Sequence, residues 1–153
     1  MEMKMSESMD RKSLNLKQFI YVTLITSIWI NITEVLRAVF VAFPLMKEFY
    51  AGRIEIGPMA LNNILVWIGW DMLLTATLVF ITWLCLIVFD EQVETLILSA
   101  TVTTFATLGV FWIGSINSGL GVWKMAFIIL PIVWIEMLVG AWIVMKLYKK
   151  FQV

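Results

Sequence analysis

The chain has 153 residues, 61% of them hydrophobic and 14% charged, a mean hydropathy of +0.93 and a formal net charge of zero. A water-soluble domain is nearer half apolar and a quarter charged, so this composition predicts an integral membrane protein in one domain. Zero net charge offers no footprint for nucleic acid; the lack of histidine removes the commonest general base and metal or haem ligand; and the single cysteine, Cys85, excludes an intrachain disulfide or a CxxC pair.

Residues 1–18 are polar and mixed in charge, with Lys4, Arg11, Lys12 and Lys17. They read as a cytoplasmic tail, partly disordered or lying on the interface. The apolar run Phe19–Leu45 that follows is too long for the core of a signal peptide and has no small-residue cleavage site after it. It predicts a first transmembrane helix over about 19–46, since about 20 apolar residues cross the hydrocarbon core. Lys47 to Asn63 reads as a polar connection with Tyr50, Gly52, Gly57 and Pro58 as interface and turn residues. A second helix is expected over about 61–89, a tight turn at Asp90-Glu91-Gln92, a third helix over 93–116, a second tight turn at Asn117–Gly121, and a fourth helix over 122–147. Short turns between long helices make neighbours antiparallel. The expected fold is therefore an all-α, antiparallel up-down bundle of four transmembrane helices: one domain over 19–148, closed by a basic cytoplasmic end at 149–153. Lys4, Arg11, Lys12, Lys17, Lys146, Lys149 and Lys150 flank the two ends, against Lys47, Arg53 and Lys124 on the opposite side. The positive-inside rule then places both termini in the cytoplasm.

The anomaly is the centre of the first span, where Asn31, Glu34 and Arg37 interrupt apolar sequence. Ionisable groups at that depth cost at least about 2.5 kcal/mol each, so they face a protein interior and a partner. At 1.5 Å per residue, Glu34 and Arg37 lie roughly 4 and 9 Å outward of Asn31, and Asp71 lies roughly 7 Å outward of the middle of the second helix. Depth thus favours an Arg37–Asp71 pair, whereas sequence proximity favours Arg37–Glu34. Glu136 sits near the middle of the fourth helix without an assigned partner. Three carboxylates share one guanidinium, and an acid left without a cation can carry a proton or exchange it for a cationic ligand. Glu136 and Glu34 are the acids singled out for that role. Pro131, five residues before Glu136, is expected to kink the fourth helix.

Polar stripes surround these groups. Thr23, Ser27, Asn31 and Glu34 share one face of the first helix. Asp71, Thr75 and Thr82 share a face of the second, and Ser99, Thr103 and Thr107 a face of the third. Trp29, Trp134, Thr75, Thr103 and Thr107 are expected to line a pocket, whose aromatics would suit an organic cation. Trp67, Trp70, Trp112 and Trp123 lie towards the outer side, as an aromatic belt would.

No glycine-rich phosphate loop, nucleophile set or HExxH motif is present, and no cofactor is expected. An all-carboxylate site for a hard cation is argued against by Arg37, so no metal is expected either. In its four helices and the acid of the first, at Glu34-Val35, the layout resembles that of small multidrug-type exporters. The resemblance is one of layout, this chain is longer, and no family is asserted from it. Two functions compete. One is a small membrane protein binding or transporting protons or a small, cationic ligand at Glu34, Arg37, Asp71, Glu136 and Asn31, within a homo-oligomer. The other is a non-catalytic accessory subunit, attached to a membrane partner, whose buried charges only fix helix packing.

Overall fold

The computed structural model describes residues 15–52 and 60–151. Among the described residues every regular element is helical. Helix α1 spans Leu16–Tyr50, α2 Leu61–Phe89, α3 Val93–Asn117 and α4 Trp123–Phe151, and each is long and apolar enough to cross a membrane. The expectations for residues 1–14, Arg53, Gly57, Pro58 and 152–153 lie outside the described residues.

Two helices outrun their apolar segments. α1 begins at Leu16 rather than near 19 because Asn15 caps it: its side-chain oxygen accepts from the backbone N–H groups of Lys17 (3.0 Å) and Gln18 (3.4 Å). It continues to Tyr50 and stops at Gly52, whose φ of 73° suits glycine. α4 continues past Leu147 to Phe151 because Tyr148 is still buried, with Lys149 and Lys150 exposed beside it. An amphipathic last turn keeps a helix going after the hydropathy has fallen.

Both α1 and α3 contain a widened turn. Ala38–Ala42 is π-helical, with the Phe43 N–H reaching back to the Ala38 carbonyl. Pro44 follows, and its missing N–H removes the donor that would close a normal turn on Phe40. The second π segment, Phe105–Gly109, contains Thr107, whose hydroxyl donates to the Thr103 carbonyl (2.6 Å) and competes with the backbone ladder. Pro131, by contrast, leaves α4 continuous from Trp123 to Phe151. Pro131 lacks the N–H that would bond to the Phe127 carbonyl, so that carbonyl loses its usual donor.

α2 and α4 touch each other and both remaining helices, while α1 and α3 flank them. The main core gathers Ile30, Leu78, Ile129 and Met137 between these helices, and a smaller cluster joins Val22, Val79, Val144 and Tyr148. Gly140 allows the closest approach. A Cβ there would lie 2.7 Å from Leu78 Cδ2 and 3.3 Å from Ile30 Cδ1. Large apolar side chains such as Phe40, Val66, Leu73, Val110 and Phe127 cover the outside. Of the expected aromatic belt, Trp70 and Trp123 are exposed, whereas Trp112 is buried in the core.

Polar contacts tie the ends. Lys149 Nζ meets Glu91 Oε2 at 2.9 Å, and the Tyr21 and Phe151 rings meet edge to face at 5.3 Å. At the other end, Lys124 Nζ meets Glu48 Oε1 at 3.3 Å, and the Tyr50 hydroxyl donates to the Leu120 carbonyl at 2.6 Å.

Candidate functional site

The π segment of α1 begins immediately after Arg37, and the charged cluster lies just before it. Glu34 and Arg37 are three residues apart on α1, so one helical face carries both, and they form an ion pair. Glu136 of α4 faces inward, and its Oε2 accepts from Arg37 Nε at 3.3 Å. One guanidinium thus serves two carboxylates on two helices. Its planar fork of five N–H donors makes that sharing feasible. Trp29, just over two turns before Arg37 on α1, reinforces the junction: its indole N–H donates to the backbone carbonyl of Glu136 at 3.1 Å.

This corrects the pairing expected from depth. Arg37 is held by Glu34 and Glu136, and no hydrogen bond or ion pair joins it to Asp71 among the described residues. The acid thought to lack a partner, Glu136, has one. Asp71 takes its place as the carboxylate without a cation. It is only 3% exposed, and its Oδ1 has no hydrogen-bond partner among the described residues. Asp71 nevertheless lies within electrostatic range of Glu34, Arg37 and Glu136, so the four groups form one cluster. Glu34 is buried too, at 4% exposure, and its Oε1 likewise has no partner.

The remaining residues singled out in the sequence make no hydrogen bond to the charged side chains of this cluster among the described residues. The Asn31 amide donates to the Ser27 carbonyl of its own helix (2.8 Å). Thr75 donates to the Asp71 backbone carbonyl (2.6 Å), which places it beside Asp71 but leaves the carboxylate unsatisfied. Thr107 bonds within α3, and the Thr103 hydroxyl is buried without a partner among the described residues. Trp134 turns towards α3, donating its indole N–H to Thr101 Oγ1 at 2.9 Å. Trp29 and Trp134 therefore spend their polar edges on two different helix contacts rather than on a shared pocket.

Two features had weak sequence signals. Pro44, soon after Arg37, marks the widened turn, and Gly140, four residues after Glu136, marks the close approach of α4. Neither points to a function by itself. Among the described residues, no group of three or more acid, cysteine or histidine side chains is disposed to hold a metal ion.

The arrangement has one chemical property that packing alone does not require. Three carboxylates are buried together with one guanidinium, and ionised carboxylates in a low-dielectric interior are costly without counter-charge. With every group ionised, Arg37 could balance only one of the three. Protons or another cation are needed to complete the balance. No protein-family model, curated protein or solved structure matches this chain.

Proposed function

We propose that this chain is a small multi-pass membrane protein whose buried acid cluster binds and exchanges protons, with Asp71 as the exchanging group. The observation that carries this reading is the mismatch in the cluster: Arg37 is occupied by Glu34 and Glu136, while Asp71 is buried with an Oδ1 that has no partner among the described residues. A small cation could balance the same charge, but a proton fits a closely packed interior with the least rearrangement. The contacts at the two ends support an up-down course for the four helices. Those joining Glu91, Lys149, Tyr21 and Phe151 gather one end, and those joining Glu48, Lys124, Tyr50 and Leu120 the other. Lys17, Lys146, Lys149 and Lys150 belong to the first end, which supports a cytoplasmic position for it.

The test is proton uptake by purified protein in phosphatidylcholine vesicles, read with a pH indicator. Wild-type protein is expected to bind protons reversibly, and Asp71→Asn to lose that binding while keeping its helical content. Equal uptake by wild type and Asp71→Asn would remove Asp71 from the role.

A second reading has its own support. Arg37 bridges Glu34 and Glu136, and Trp29 bonds to the Glu136 carbonyl, so the polar groups also clamp α1 to α4. This is what an accessory subunit with a purely architectural charge cluster would need. If wild-type protein exchanges no protons, and Glu34→Gln and Glu136→Gln change only stability, the accessory reading replaces the first.

A further inference from the structure

The cluster has one cation and two acids on different helices that can claim it. Glu34 sits on α1 with Arg37 and moves with it. The choice therefore lies between Glu136 on α4 and Asp71 on α2. The contact to Glu136, 3.3 Å at Nε, is longer than the 2.7–2.9 Å usual for a charge-assisted N–H···O bond. Asp71 is within electrostatic range, buried, and has an oxygen without a donor. The backbone immediately after Arg37 is the π segment Ala38–Ala42, followed by Pro44, a stretch in which the hydrogen-bond ladder is already irregular. The charged groups bearing on Asp71 are Glu34 and Arg37 from α1 and Glu136 from α4. α3 adds none at this level, its only charged residue being Glu94 in its first turn.

We propose that Arg37 is a shared counter-charge that exchanges Glu136 for Asp71 when Asp71 gives up its proton, loosening α1 from α4 and joining it to α2. The inference rests on the proton-exchange reading above. In the step, the Asp71 carboxyl releases its O–H proton to water, the guanidinium passes from Glu136 to the new Asp71 carboxylate, and Glu34 stays with Arg37 throughout. The cluster then holds one proton fewer and one negative charge more, and protonation of Asp71 reverses the step. The described arrangement, with Arg37 on Glu136 and Asp71 without a donor, is the state in which Asp71 holds the proton. Proton position then determines which neighbour of α1 is clamped, through a bistable contact rather than a gradual deformation.

The experiment uses full-length protein carrying Cys85→Ala, in phosphatidylcholine vesicles. Cysteines for spin labels are introduced in pairs at exposed positions: Val35→Cys with Ile135→Cys for α1–α4, and Val35→Cys with Leu73→Cys for α1–α2. Pulsed electron paramagnetic resonance reads the distances. Infrared difference spectra read the carboxyl C=O bands, assigned with Asp71→Asn and Glu136→Gln. As the pH is raised, the protonated-carboxyl band of Asp71 should fall. The α1–α4 distance should grow and the α1–α2 distance shrink by about 1–2 Å, the usual scale of helix shifts in switching proteins. Asp71→Asn should hold the short α1–α4 distance at every pH, and Glu136→Gln the short α1–α2 distance. If the Asp71 band titrates but both distances stay fixed, the exchange of partners is overturned and the proton site stands. If the Asp71 band does not titrate, both readings fall.

Discussion

Gly140 gives the sharpest test of how closely α4 is fitted to its neighbours. A Cβ at this position would come within 2.7 Å of Leu78 Cδ2, nearer than carbon atoms approach, and 3.3 Å from Ile30 Cδ1. Both neighbours are fully buried, so neither has a solvent-facing rotamer to retreat to. Overpacking of this kind costs about 1–3 kcal/mol. The better helix propensity of alanine returns about 1 kcal/mol of that. Gly140→Ala should therefore lose up to about 2 kcal/mol, whereas Gly69→Ala and Gly114→Ala, where an added Cβ meets nothing within 4 Å, should gain up to about 1 kcal/mol. Truncating the clashing partner separates strain from propensity. Leu78→Ala alone should cost about 2–5 kcal/mol. In the Gly140→Ala background the new methyl fills part of the cavity and no longer meets Leu78, so the cost should fall by about 1–3 kcal/mol. The assay is reversible unfolding in mixed micelles, with all four corners of the cycle measured under identical conditions. Additivity within about 0.5 kcal/mol would show that the two side chains do not compete for the same space, and the argument from the close approach would fail.

Arg37→Gln should be far more damaging than any of these, about 3–5 kcal/mol by the same unfolding assay, because it leaves buried Glu34 and Glu136 without their cation; a loss under 1 kcal/mol would mean that water or protons already compensate them. Trp29→Phe keeps most of the ring but removes the N–H that reaches the Glu136 carbonyl, and should cost about 0.6 kcal/mol, the usual worth of a hydrogen bond between helices in membranes. Asp90 has φ 56° and ψ −153°, a conformation that glycine adopts easily and other residues do not. Asp90→Gly should be more stable than Asp90→Ala by about 1–3 kcal/mol in thermal unfolding, and equal stability would deny the strain. Lys149→Ala breaks an exposed ion pair with Glu91 and should shift stability by less than about 1 kcal/mol, with no added sensitivity to salt.

The sequence made the four long apolar helices legible because hydropathy over twenty residues is a property of the segment itself. Helix ends were less legible, since Asn15 capping and the burial of Tyr148 depend on neighbours that a hydropathy window does not see. The charged cluster was legible as a set: Glu34, Arg37, Asp71 and Glu136 stand out against apolar sequence and lie together. Its pairing was legible only in part: sequence proximity offered Arg37–Glu34, which forms, but not Arg37–Glu136. Counting 1.5 Å per residue gives depth but not the direction in which a side chain leaves its helix. Asp71 matched Arg37 in depth, yet Glu136 has the contact because α4 packs closely against α1 along Gly140 and Trp29. The π segments were also hidden, because Pro44 and the Thr107 hydroxyl identify themselves as the cause only once the widened turns are seen.

The order in which the chain is made gives α4 a further meaning. It is the last of the four helices to leave the ribosome, and like α2 it touches all the others. Until it arrives, Arg37 has Glu34 but not Glu136, and the Trp29 indole lacks its acceptor carbonyl. A chain stalled before Trp123 would present three helices with the seam around Ile30 and Leu78 left uncovered. Closing α4 onto α1 and α2 covers that seam with Ile129, Met137 and Gly140, and the same movement gives Arg37 its second carboxylate.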